Sequence, residues 1–411
     1  MNRFLLATLV ALLAAIGVAL WLTVPWTVLP GAHPVVDVSR DFSAAQIARE
    51  NSYHAAIRPP AYASLLVGLV VAGVLGLTPL GSRLIGLVRS GWVLQTVVGV
   101  LALMVVGRLV TLAFDARAEV IQRRYGLSRQ TWGSWSTDQL KGLLVAWLLT
   151  TMVVLFVLGL ARIAPQTWWA WSAGVTAALV IAGSFAYPVL IEPVFNSFTS
   201  LPVGPLRTDL LALAQRDGVP VKDVLVADAS KRTSSLNAYV SGFGSTRRIV
   251  LYDTLVATST PQEVELIVAH ELGHAKRQDV LHGTLFGALG SAAGICLLAV
   301  LLGWAPLLKR AGAAGPGDPR ALALVLFLVA VGTFVLSPGT NLISRRIEAR
   351  ADLHSLQLTC DVPTYIASFK RLAITNLSDL SPNPMLYAFF STHPSSPQRI
   401  ALARAYADRC Q

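Results

Sequence analysis

Charged side chains are scarce. Asp, Glu, Lys and Arg make up 13% of the 411 residues, against 54% hydrophobic. A water-soluble domain carries about 25% charged residues, so a freely soluble globular protein is excluded and a bilayer is the expected solvent. Cysteine is scarcer still. Cys296, Cys360 and Cys410 are odd in number and far apart, so neither a disulfide framework nor a cysteine metal site is expected. Any metal must then be held by carboxylates and by histidine, of which there are only seven. Acidic residues are also few, 22 against 33 Lys and Arg, for a net charge of +11. The arginines are spread through short loops between apolar runs, which is the pattern of a protein anchored to anionic lipid. No nucleic-acid partner is expected.

What the chain has in abundance is long apolar sequence. Runs at Phe4 to Val24, Tyr62 to Leu80, Trp92 to Leu112, Leu143 to Leu160, Trp168 to Leu190, Val280 to Leu307 and Ala321 to Leu336 can each cross about 30 Å of hydrocarbon as a helix. The first exceeds the apolar core of a cleaved signal peptide and reads as a retained span. Residues 30–60 read as an extramembrane loop with a short helix at Ser43 to His54, and the basic stretch Asp115 to Lys141 as a loop on the lipid surface. Arg108, near the end of the third run, reads as a snorkelling side chain. Lys309 to Arg320 reads as a flexible turn without packing residues. The fold class expected is a multi-span α-helical membrane protein of about seven transmembrane helices with a small α+β zincin-like catalytic domain. Its parts are a five-span membrane region over residues 1–194, an α+β catalytic segment over 195–279, a two-span hairpin over 280–337 and a C-terminal catalytic segment over 338–411.

Within the α+β segment, Leu206 to Arg216 reads as an amphipathic helix, and Val224 to Ala227 and Arg248 to Tyr252 as strands, the second preceded by a turn at Ser241 to Ser245. The helix that follows carries the chemistry. Thr260 suits an N-cap, Pro261 the first helical position, and Glu263 can return a hydrogen bond to the Thr260 backbone. His270 and His274, one turn apart in His-Glu-Leu-Gly-His, project from one face and can grip one ion, with Glu271 about 100° round. Val264, Val268, Leu272 and Ala275 form the opposite, buried face.

Two histidines do not complete a zinc site, and a third ligand must come from the same side of the membrane. After the hairpin, Glu348 and Asp352 stand one turn apart in the helix Ile343 to Leu356, so one can bind metal while the other hydrogen-bonds a ligand imidazole. Pairing of both with Arg345, Arg346 and Arg350 on a solvated helix is equally compatible with the spacing. His393, in a turn before Pro394, is a candidate donor to an oxyanion. Asn237, Ala238 and Tyr239 precede a turn and a strand, where an exposed edge could pair with an extended substrate; an ordinary edge strand with Tyr239 packed inward fits the residues as well. His33, His54, His282 and His354 read as structural or surface residues.

His270-Glu-Leu-Gly-His274 followed after a membrane hairpin by Glu348-x-x-x-Asp352 resembles the integral-membrane zinc metalloproteases of the type I CAAX prenyl protease family, in a bacterial form. The likeness extends to Tyr125–Gly133, Glu192–Thr199, Asn237–Tyr239, Arg248–Leu255, and His393-Pro with Arg399. It implies that His270, His274 and Glu348 bind one Zn2+ per chain, that Glu271 is the general base, that His393 and Arg399 line the cleft, and that seven spans surround a large internal chamber. Asp352 then serves as the carboxylate behind a ligand imidazole.

The expected function is hydrolysis of peptide bonds near the C-terminus of lipidated, CAAX-type or other membrane-associated peptides by a monomer. General membrane-protein quality control is the alternative within proteolysis, and a metal-regulated seven-span transporter or receptor the alternative outside it. Arg and Lys bias favours a plasma-membrane protein with the catalytic site and C-terminus cytoplasmic and the N-terminus outside.

Overall fold

The computed structural model describes every residue except 1–2, 32–33, 243, 245–246 and 411, so His33 and part of the Ser241 to Ser245 turn lie outside the described residues. Among the described residues, seven helices are long and apolar enough to cross a membrane. The first five are α1 (Arg3–Thr23), α2 (Ala44–Leu77), α3 (Trp92–Arg124), α4 (Trp132–Ile163) and α5 (Trp168–Ala186). Their sides carry exposed apolar residues such as Leu109, Leu148 and Phe156, as surfaces facing lipid must. At the end of α5 the chain widens into a π turn, Tyr187–Ile191, beginning where Pro188 supplies no amide hydrogen.

Several helices outrun their apolar runs. Residues 44–60 are not a loop: Ser43 and Gln46 form a reciprocal capping box and α2 continues through Pro59 and Pro60. The basic loop read at 115–141 shrinks likewise to residues 125–131, because α3 and α4 extend beyond the bilayer. Hydropathy marks only the part of a helix that lipid surrounds. The backbone goes on bonding past that point, and Tyr53 and Ile121 pack there with Leu377 from the far end of the chain. Arg108 does not snorkel. Its Nη1 donates to Asp115 at 2.7 Å, and it also bonds Gln139.

The extramembrane unit has a four-stranded sheet of β1 (Phe198–Ser200), β2 (Asp223–Ala227), β3 (Ala238–Ser241) and β4 (Arg248–Tyr252), in the order β1-β2-β4-β3. The β2/β4 pair is parallel and the outer pairs are antiparallel, so β3 keeps one edge free. Helix α6 (Pro205–Arg216) and helix α7 (Pro261–Lys276) cover the sheet. Leu210, Leu213, Ile249, Leu251, Leu255 and Leu272 form a core that excludes solvent completely.

Helix α8 (Asp279–Leu302) leaves directly from α7, and α9 (Leu322–Thr359) returns as one helix through Pro338. Lys309 to Arg320 is not a loose turn: a short helix Ala305–Ala311 precedes it, and Ala311 and Ala313 are buried. Gly312 has φ +74°, and a Cβ there would strike Ser82 of the helix Pro79–Gly86, so small residues serve close packing here. Helices α10 (Val362–Thr375) and α11 (Ser396–Tyr406) complete the catalytic side. Cys360 and Cys410 form a disulfide, contrary to the expectation from their number and separation. The fold returns the C-terminus to the end of α9, leaving the Cα atoms 5.5 Å apart, a proximity that a sequence separation of 50 does not reveal.

Candidate metal centre

Helix α7 begins as its residues dictate, with Thr260 accepting from the Glu263 amide and Glu263 accepting from the Thr260 amide at 2.9 Å. Its apolar face is locked to the sheet: Val264, Val268 and Leu272 are at most 1% exposed, which fixes the rotation of the helix and points His270 and His274 outward. Helix α9 brings Glu348 opposite them. The Nε2 atoms of His270 and His274 are 3.2 Å apart, His270 Nε2 is 3.3 Å from Glu348 Oε2, and His274 Nε2 is 3.4 Å from Glu348 Oε1. A tetrahedral ion with bonds of about 2.0–2.1 Å places neighbouring donor atoms about 3.3–3.4 Å apart. The two imidazole Nε2 atoms face each other at the centre of the cluster, and Glu348 Oε2 is buried without a hydrogen-bond partner among the described residues. A divalent cation satisfies all three groups together.

The electrostatics point the same way. Burial disfavours charge on His270, but the Asp352 and Glu348 carboxylates outweigh it and raise the imidazole to about 10. The cluster therefore calls for positive charge at this position. Behind His270, Nδ1 meets Asp352 Oδ1 at 3.0 Å, and Arg399 Nε donates to both oxygens of Asp352, at 3.0 and 2.9 Å. The Arg399 guanidinium also lies 4.0 Å from the centroid of the Phe369 ring. Asp352 can accept the Nδ1 proton of His270 and so leave Nε2 free to ligate, and Arg399 Nη2 lies 3.2 Å from the same Nδ1.

All the residues singled out from the sequence meet here. A cavity of about 660 Å3 is lined by Glu271, His270, His274 and Glu348, by His393, and by Asn237 with Ala238 and Tyr239 of β3. His393 Nε2 lies 3.3 Å from Glu348 Oε2 and its Nδ1 is 2.8 Å from Thr392 Oγ1. Arg399 lines a second recess of about 420 Å3 that shares Asn237 and His393 with the first. Burial raises the Glu271 carboxyl above its ordinary value, the direction suited to a group that must take and return a proton.

Sequence reasoning missed two carboxylates, Asp279 and Asp217. Asp279, at the start of α8, takes His274 Nδ1 at 2.9 Å and is itself paired with Arg350. A carboxylate behind the second histidine is what metal-ligating imidazoles require, and its position five residues after His274 was the available signal. His354 is structural, one of the two roles read for it: its Nε2 is 2.9 Å from Asp217 Oδ2, and Lys276 holds the other oxygen at 2.6 Å. Its ring lies against Gly273, where a Cβ would come within 3.0 Å. His54, in the same way, reaches the Leu377 carbonyl at 2.9 Å.

The family models account for most of the chain. Residues 201–407 match peptidase family M48, and residues 41–197 match the CAAX prenyl protease N-terminal region of five membrane helices. The chain belongs to peptidase family M48. Among curated M48-type relatives it is 33% identical over 309 residues to the uncharacterized metalloprotease YhfN of Bacillus subtilis, covering 75% of this chain and 72% of that protein. It is 30% identical over 330 residues to the CAAX prenyl protease 1 homolog of rice, covering 77% of this chain and 75% of that one. The crystal structure of Saccharomyces mikatae Ste24p shares the fold, with a TM-score of 0.77 at 23% identity over 98% of this chain and 99% of that chain. This M48 peptidase is therefore a multi-pass membrane metallopeptidase acting on peptide substrates.

Proposed function

We propose that the metal is zinc, one ion per chain, held by His270, His274 and Glu348. The observation that carries this reading is the convergence of donor atoms at ligand spacing: the two histidine Nε2 atoms are 3.2 Å apart, and they lie 3.3 and 3.4 Å from the two oxygens of Glu348. When bound, the ion supplies a Lewis acid for the scissile carbonyl and for a water molecule. Glu271 takes the proton of the attacking water and returns it to the leaving amine nitrogen. His393 donates to the oxygen that gains charge, while Asp352 and Arg399 hold His270 in register. The free edge of β3 at Asn237, Ala238 and Tyr239 supports main-chain pairing with an extended peptide. Purified full-length chain should contain one zinc, lose peptidase activity when stripped by chelator and regain it with zinc alone. Full activity of thoroughly stripped protein would overturn the reading.

The substrate class that fits is a lipidated peptide cut near its C-terminus. Relatives 30% identical to the chain are named CAAX prenyl protease 1 homologs, and each lipid CH2 that is buried contributes about 0.8 kcal/mol to binding. One peptide should be compared with and without its isoprenoid. A kcat/KM preference below about threefold, under 1 kcal/mol, favours quality control of membrane proteins instead. The chain is proposed to act as a monomer.

Sidedness has two readings. The short segments around the catalytic side hold Arg40, Arg49, Arg58, Arg117, Arg123 and Arg129, which favours a cytoplasmic catalytic face in the plasma membrane with the N-terminus outside. The Cys360–Cys410 disulfide lies on that same side and favours an oxidising compartment. A reporter fused after Gln411 separates them: activity confined to the cytoplasm supports the charge argument, and activity only outside overturns it.

A further inference from the structure

We propose that the end of the molecule farthest from the metal cluster carries a binding site for the phosphate headgroup of an anionic phospholipid. Helix α9 runs 26 residues from Leu322 to Glu348, about 39 Å at ~1.5 Å per residue, so the segment before it sits at the opposite bilayer surface. There a recess of about 720 Å3 opens between the start of α3, the end of α4 and residues 314–320, with Trp92, Gln95, Arg162, Asp318 and Arg320 on its walls.

Its two cations are placed and unspent. Arg162 Nη1 donates to the Gly317 carbonyl at 3.0 Å and its guanidinium lies 5.4 Å from the centroid of the Trp92 ring. Gly317 permits that contact, since a Cβ there would come within 3.0 Å of Arg162 Cγ. Neither Arg162 nor Arg320 pairs with a carboxylate among the described residues. The recess has one carboxylate, Asp318, and its oxygens already accept from the Ala314 amide at 2.9 Å and the Arg320 amide at 3.0 Å. A second feature converges on the same space. Helix α3 starts at Gly91 with no side-chain cap, while Gln95 turns to the Ile85 and Val88 carbonyls, so the first-turn amides of α3 have no protein acceptor there. Two guanidinium forks and a helix start suit a phosphate group.

The surroundings select a lipid over free phosphate. Val93, Leu94 and Ile163, beside the recess on α3 and α4, are 47%, 50% and 79% exposed, and offer an apolar wall for acyl chains directly below the arginines. The whole face favours anions: Arg83, Arg89, Lys309 and Arg310 accompany Arg162 and Arg320, against Asp318 alone in segments 78–91, 162–167 and 303–321.

The test is native mass spectrometry of the delipidated full-length chain titrated with phosphatidylglycerol, with phosphatidylcholine and with inorganic phosphate. The chain should prefer phosphatidylglycerol, and Arg162→Gln/Arg320→Gln should weaken that binding about tenfold, the loss of ~1.4 kcal/mol. The charge-matched pair Arg83→Gln/Lys309→Gln, outside the recess, should change it less than twofold. Should the double variant fold poorly, Arg320→Gln alone is decisive, since that side chain makes no hydrogen bond that the fold uses. Equal losses in the two pairs, no loss in Arg320→Gln, or displacement of the lipid by millimolar phosphate would each overturn the proposal.

Discussion

At the scale of single residues, the metal site depends on groups that never touch the ion. Asp279 aligns His274 as Asp352 aligns His270, and Arg350 fixes Asp279 in turn. Asp279→Ala should therefore lower metal affinity about 10- to 100-fold, as measured by chelator competition, with the fold intact. An unchanged affinity would mean that the contact does not orient the ligand. His393→Ala should leave metal content alone and reduce kcat by roughly two orders of magnitude, whereas unaltered turnover would make His393 an ordinary turn residue. Gly273 answers to packing. A methyl group there meets the His354 ring at 3.0 Å, so Gly273→Ala should destabilise the chain by about 1–3 kcal/mol in a denaturation experiment, and a neutral result would show that α9 can shift to accommodate it.

At the scale of elements, α9 joins the membrane to the chemistry. A span of about 20 residues crosses the hydrocarbon, and the remaining turns of this 38-residue helix carry Glu348, Asp352 and His354 up to α7. The start of α7 was legible in the sequence, because Thr260, Pro261 and Glu263 act locally. So was its buried face, because Val264, Val268 and Leu272 repeat at helical spacing. The extension of α2 through Pro59 and Pro60 was not, since local rules end a helix there while packing of Tyr53 against the C-terminal segment sustains it. Asp217 was hidden for the same reason: its partners, His354 and Lys276, are chosen by tertiary contact. The disulfide is the clearest case, and it ties the end of α9 to the last turn of the chain. Replacing Cys360 and Cys410 together by serine should cost about 2–4 kcal/mol of stability, read as faster proteolysis of residues 361–411, with metal retained. Identical digestion of variant and parent would show that α10 and α11 are held by packing alone.

At the scale of the whole molecule, seven candidate spans, a free strand edge and the cluster of His270, His274 and Glu348 come together around a cavity that Glu271 lines, an arrangement that suits the proposed approach of a peptide from the membrane. Spans set the height of the cluster, the sheet sets the rotation of α7, and α9 closes the ligand set from the opposite side. The central claim is that Glu271 moves the proton while taking no part in holding the metal. Purified Glu271→Gln should therefore keep one zinc per chain by elemental analysis and lose peptide turnover by about 10²-fold or more. A variant that retained its zinc and cleaved at a near-normal rate would contradict the account.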